Sequence, residues 1–204
     1  KEQFSIDLEG GIFTGKGFLN INKLPLETIN IFLDKSRDFE GNLDINLLYN
    51  LEKKSFASNI SSNKTSINNS PIILDIGEVQ YSNSIFDLDL SFLLNNSYPP
   101  INISGSIPFN KQDKLDLRLS GNGNFIELVD IFAGDYFTFK KGDVTLRMII
   151  KGTVNKPIVN GFVFIKDSEI DIYSNVIKNI NSTIIFDFDQ IEIKSFEASD
   201  DASG

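Results

Sequence analysis

Along most of the chain, apolar and polar residues alternate one for one. Leu43-x-Ile45-x-Leu47, Phe86-x-Leu88-x-Leu90-x-Phe92 and Val144-x-Leu146-x-Met148-x-Ile150 each carry the pattern, as do Ile170-x-Ile172, Ile184-x-Phe186-x-Phe188 and Ile191-x-Ile193. A period of two puts one set of side chains on one face of a strand and the rest on the other. The face opposite the apolar residues carries Asp87, Asp89, Thr145, Arg147, Asp171, Asp187 and Asp189. Turn signals separate the runs at short intervals: Gly10-Gly11, Ser82-Asn83, Asn95-Asn96-Ser97, Lys111-Gln112-Asp113, Asn155-Lys156-Pro157 and Lys166-Asp167. Many short strands joined this way predict antiparallel meanders. Pro99-Pro100 and Pro108 flank a short strand through Ile101 and Ile103, and so predict an edge or an irregular crossing there.

Two segments have helical spacing. Leu24 to Leu33 has Pro25 early and then Leu26, Ile29 and Phe32/Leu33; Phe125 to Ala133 has Phe125, Leu128, Val129 and Phe132, with Gly134 as a C-cap. Both are too short to form a layer and are expected to act as plugs or caps. They also expose a degenerate repeat, 1–120 and 121–204. Gly15-x-Gly17, helix, Phe39-x-Gly41-x-Leu43 is answered by Gly121-x-Gly123, helix, Phe139-x-x-Gly142-x-Val144. Ser55 to Ser70, rich in Ser, Asn and Lys, reads as either a polar strand or a loop.

Composition narrows the chemistry. The 204 residues include 18 Phe but no Cys, His or Trp, and 28 acidic against 19 basic residues leave a net charge of −9. That balance disfavours nucleic acid as a partner, because binding it by counterion release needs clustered Lys and Arg. Without His or Cys there is no catalytic triad, thiolate nucleophile or zinc ribbon. The remaining candidates are carboxylate pairs, Asp87 with Asp89 and Asp187 with Asp189, which share a strand face and could bind Ca²⁺ or exchange protons. Their regular recurrence favours a solvated strand face. Gly121-Asn122-Gly123 lacks the βαβ context of a phosphate loop and reads as a turn. The sequence therefore points to no enzyme, no cofactor and no metal.

A sheet with one apolar face has to cover it. With no helical layer, the choices are a second sheet, a closed barrel, or a sheet curled around something else. The residues on that face are Leu43, Ile45, Leu88, Leu90, Phe92, Val144, Leu146, Met148, Ile150, Ile184, Phe186, Phe188, Ile191 and Ile193. They are either an ordinary core or the lining of a groove for a greasy ligand. The chain opens within a strand pattern at Phe4, Ile6 and Leu8, without a leading Met, and breaks off after Asp200-Asp201. It reads as a single segment, 1–204, of a longer protein, with any targeting signal elsewhere.

The order of motifs from Gly152 onward resembles the TamB/AsmA-like family. Gly152-Thr153, then Pro157 and Gly161, match a Gly-Thr, x-x-Pro-x-hydrophobic-x-Gly strand pair. Asn179-Ile180 and the small residues from Ala198 to Gly204 match the next elements of that family's pattern. The likeness is best over Gly121 to Gly204 and looser before it, where Leu24-Pro25-Leu26 precedes Gly41. Asp167-Ser168 stands where Asp-Gly is commoner.

The resemblance implies an all-β fold: an elongated, curled, antiparallel-rich sheet forming a U-shaped hydrophobic groove with one or two short helices. It implies a segment of a bridge-like lipid carrier that conducts phospholipid between inner and outer membranes and supports outer-membrane biogenesis. The implied partners are phospholipid acyl chains and an outer-membrane Omp85-type barrel protein. The implied location is the periplasm, within an inner-membrane-anchored protein, or the chloroplast intermembrane space for a plant-type relative. The alternatives are a structural or adhesive β-solenoid or sandwich, and a scaffold for outer-membrane barrel assembly that engages precursors by strand pairing.

Overall fold

The computed structural model describes residues 4–11, 15–28, 39–67, 70–94, 99–123, 138–172 and 175–200. They form one sheet of twelve strands in strictly sequential order. The strands are β1 (Ser5–Gly11), β2 (Lys16–Pro25), β3 (Phe39–Asn50), β4 (Ser55–Ile67), β5 (Ser70–Ser82) and β6 (Ile85–Leu94). They continue with β7 (Ile101–Pro108), β8 (Asp116–Gly123), β9 (Thr138–Thr153), β10 (Lys156–Ile172), β11 (Asn175–Phe188) and β12 (Gln190–Asp200). Each strand pairs antiparallel with the next, which leaves β1 and β12 as the two edges.

The connections at one end of the sheet are tight and chemically legible. Asn83 and Ser84, with φ of 51° and 64°, make the two-residue turn between β5 and β6, the left-handed pair that matches strand twist. Four residues, 51–54, join β3 to β4, where the Asn50 carboxamide oxygen accepts the Lys53 N–H at 3.1 Å. Val154 and Asn155 turn β9 into β10.

Several expectations need correcting. Gly10 and Gly11 lie in β1, opposite Gly17 and Lys16, rather than in a turn. Gly17 is where β2 lets an aromatic ring approach: a Cβ there would lie 2.5 Å from the Tyr49 Oη. Leu24 and Pro25 end β2 as a strand, and only 26–28 coil, as one 3₁₀ turn. The rest of that predicted helix, all of Phe125 to Ala133, and the Asn95-Asn96-Ser97 turn lie outside the described residues. Gly121-Asn122-Gly123 is the final stretch of β8, paired with Leu146, Thr145 and Val144. β7 is an inner strand, its Pro108 tolerated because it closes the ladder opposite Ile85. Lys166-Asp167 is a bulge inside β10 rather than a turn. Ser55–Ile67 is a strand, its Ser58 hydroxyl donating to the Val79 carbonyl at 3.0 Å.

The register sorts side chains into rows that run across the strands. One row reads Ile6, Ile21, Ile45 and Ile60 on β1 to β4. It continues beyond as Gly77, Leu90, Ile103, Leu119, Met148, Gly161, Phe186 and Ile191 on β5 to β12. No polar side chain interrupts it. The adjacent row on the other face reads Asp7, Asn20, Asn46, Asn59, Glu78 and Asp89, then Ser104, Arg118, Ile149, Asn160, Asp187 and Gln190. Eleven of its twelve members are polar. At about 4.8 Å per strand, each row is on the order of 50 Å long.

Little of the apolar face is buried. Among the described residues the fully buried hydrophobics are Leu26, Leu93, Leu94, Ile101, Leu115, Val144 and Ile180. The chain exposes 13244 Å², against about 9,600 Å² for a compact protein of its mass. The densest packing joins Leu94 and Ile101, on β6 and β7, to Val144 on β9. The intervening β8 offers only Gly121 and Gly123 at that level, so side chains two strands apart can meet.

Candidate apolar ligand site

The site begins with interruptions in the strands. β2 is irregular between Ile21 and Leu24, β3 between Glu40 and Asn42, and β5 between Leu74 and Ile76. β10 slips between Ile165 and Ser168, and β11 between Lys178 and Asn181. Those on β10 and β11 lie beside one another, with Ser168 paired to Ile180 between them. The Asp44 carboxylate accepts the Lys23 N–H at 2.8 Å, and the Asn181 carboxamide oxygen accepts the Asp167 N–H at 3.1 Å. Residues Lys23, Asp167 and Asn179 carry the positive φ of bulged positions, at 57°, 48° and 52°. Each bulge bends its strand and sharpens its twist.

Gly142 is where β9 meets the β10 bulge. Its φ is +133°, and a Cβ would sit 2.0 Å from the Ser168 Oγ and 2.5 Å from its Cα. No residue but glycine fits between these backbones.

A cleft of about 260 Å³ opens on the apolar face at the bend. Val163 and Ile165 line it from one side of the β10 bulge, and Ile170 lines it from the other. The strand therefore presents both of its limbs to one space. Val144 and Ile180 add buried walls, Ile184 adds another from β11, and Ile193 and Phe196 of the exposed edge strand form the rim. The cleft's two hydroxyls are already committed: Ser168 donates to the Lys166 carbonyl at 3.1 Å and Ser182 to the Ser195 carbonyl at 3.0 Å. A ligand here meets hydrocarbon with no directed donor, so it is selected by apolar area alone.

A second concentration of carbon lies further along the same face. Phe56, Tyr81 and Phe86, from β4, β5 and β6, form a triad with centroids 5.5, 6.1 and 4.8 Å apart.

All fourteen residues expected to line a groove fall on the one apolar face. Leu88, Ile150 and Phe188 share a row, Ile45, Leu90, Met148, Phe186 and Ile191 the next, and Leu43, Phe92, Leu146, Ile184 and Ile193 a third. Val144 lies one row further on, paired with Ile165. Three of the fourteen, Val144, Ile184 and Ile193, reach the cleft itself. The sequence reading missed Ile170, Ile180 and Phe196. For Ile170 and Phe196 the signal was a change of phase: inward positions are odd through Ile165 and even from Ser168 on β10, and odd through Ile193 and even at Phe196 on β12. Ile180 keeps the even phase of Ile184.

The carboxylate pairs show no convergence. Asp87 sits between Gln80 and Ser106, Asp89 between Glu78 and Ser104, and among the described residues no three carboxylates gather at one point. No family model, curated protein or solved structure matches this chain.

Proposed function

We propose that this sheet is part of an envelope-spanning, bridge-like lipid carrier, with its apolar face conducting phospholipid acyl chains between two membranes. The observation that carries the reading is the row from Ile6 to Ile191, which crosses twelve strands without a polar side chain and, among the described residues, has no second layer over it. A sandwich core hides such a row, yet here Ile6, Leu8 and Ile193 are 57%, 66% and 62% exposed. The bulges on β2, β3, β5, β10 and β11 bend and twist their strands, which favours a sheet curved over its apolar side into a trough. Ile, Leu and Phe supply area without directional contacts, so a chain can slide past them without a deep trap.

The resemblance to the TamB/AsmA-like family implies a trough in the periplasm, anchored to the inner membrane. Its partners there are acyl chains on the inside and an Omp85-type barrel protein at the outer membrane. The carboxylates and amides of the opposite face keep the structure in solution.

The test is mass spectrometry of lipids that copurify with the protein, on the parent and on Ile193→Asp. Ile193 is 62% exposed at the rim of the cleft, so its replacement removes apolar lining without emptying a core. Diacyl lipid in the parent and its loss from the folded variant is the expected outcome. A lipid-free parent that also takes up no fluorescent phospholipid from vesicles overturns the proposal.

A further inference from the structure

The polar face carries a group of large apolar side chains on β9 to β11. Ile149, Ile158, Phe162 and Phe164 point away from the apolar face and are 42%, 39%, 37% and 41% exposed, with the half-buried Ile185 beside Phe162. This patch lies on the reverse of the sheet from the proposed lipid face, and its occupant can be read from how charge is arranged around it.

The row through its centre reads Arg147, Phe162, Ile185, Glu192 on β9, β10, β11 and β12. It is a cation, two apolar residues and an anion, so the row is complementary to its own reverse. Among the described residues Arg147 has no carboxylate within ion-pair distance, and it is exposed. Glu192 is exposed too and meets only Lys194 of its own strand, at 2.6 Å.

We propose that this face docks a second copy of the chain about a two-fold axis running parallel to the strands between β10 and β11. Rotation about that axis keeps each residue at its own level along the strands and exchanges β9 with β12 and β10 with β11. Arg147 of one copy then lies over Glu192 of its mate, and Phe162 over Ile185, each pair occurring twice as an isologous interface requires. One level along, Asn160 lies over Asp187, and a carboxamide donor meets a carboxylate. At the level of Phe164 the axis sets that ring over Thr183, with Thr145 over Ser195, and no like charges are opposed. The alternative axis, perpendicular to the strands, would set β9 on β9 and Arg147 near its own copy. The two sheets would pack face to face with aligned strands, about 10 Å apart.

The patch is small. Four strands by about seven residues is a face of roughly 19 by 23 Å, at the low end of specific interfaces, so association falls in the micromolar range or weaker.

The experiment is sedimentation velocity of the purified chain across a concentration series, with Arg147→Glu, Glu192→Arg and the double variant. The expected result is a reversible monomer–dimer equilibrium that each single reversal weakens at least tenfold and the double reversal restores. Phe162→Ser should abolish dimers while circular dichroism stays that of the parent. A chain that remains monomeric at its solubility limit refutes the docking. So does a dimer indifferent to Phe162→Ser, or a double variant no better than the singles, either of which puts the contact elsewhere.

Discussion

If the cleft at the bend is one station on an apolar conduit, affinity for straight-chain alcohols must depend on chain length in two stages. The cleft holds about 260 Å³. Since a dry cavity of about 150 Å³ takes up benzene, this one accommodates roughly ten carbons. While the chain fills it, each methylene leaves most of its water and contributes up to about 0.8 kcal/mol, a rise of up to about fourfold in affinity. Longer chains must emerge past the rim at Ile193 and Phe196 and lie along rows of half-exposed side chains such as Leu146, Met148 and Phe186. A chain resting there is covered on one side, so the increment falls to about 0.4 kcal/mol, or about twofold per methylene. The assay is displacement of a polarity-sensitive fluorophore by 1-alkanols from six to fourteen carbons, below their aggregation limits. Calorimetry on the tightest binder should show the negative heat-capacity change of apolar burial. Affinity independent of length refutes the apolar site. A maximum near ten carbons and then a decline makes the cleft a closed pocket and refutes the conduit.

Two further outcomes test the fold beneath the site. Gly142→Ala forces a side chain into a φ of +133° and onto the Ser168 backbone, so it should cost about 3 kcal/mol or more in urea unfolding, whereas Gly123→Ala, at a similar φ of +136° but with open space around it, should cost only the backbone strain, about 1 to 2 kcal/mol. Phe56→Ala removes the ring that contacts both Tyr81 and Phe86, and should destabilise by about 2 kcal/mol. Because each strand is held mainly by its neighbours, hydrogen exchange should show the Phe56→Ala loss in β3 to β6 while protection in β9 to β11 is unchanged.

The apolar face was legible because alternation is a one-dimensional signal. Phe86 to Phe92 and Val144 to Ile150 can bury one side as strands and no side as helices. The bulges were not legible, because a bulge belongs to a pair of strands. Lys166-Asp167 has the composition of a hairpin turn, and only the pairing of Lys166 with Asp143 and of Glu169 with Lys141 on β9 shows that β10 runs through it. The same ambiguity hid the cleft, since Ile170 faces Val144 only once the phase of β10 has slipped. Gly121 and Gly123 looked like turn residues for want of side chains. In the fold that lack is what allows β7 to meet β9. The patch on the reverse face was hidden differently: Phe162-Val163-Phe164-Ile165 is apolar at every position, so periodicity assigns none of it to a face.

The two faces constrain each other. Slipping any strand by one residue would carry Asp7, Glu78, Asp89 or Asp187 into the apolar rows and expose the isoleucines and leucines they replace, so the register is fixed by both faces at once. This specifies the sheet without specifying what covers it. A ligand that binds only the folded sheet stabilises it by mass action, by about 2.7 kcal/mol at a hundred times its dissociation constant. Acyl chains lying along the row from Ile6 to Ile191 would therefore serve as a second layer, which the described residues do not supply, while remaining free to move, because every position they reach offers the same hydrocarbon and no donor to hold them.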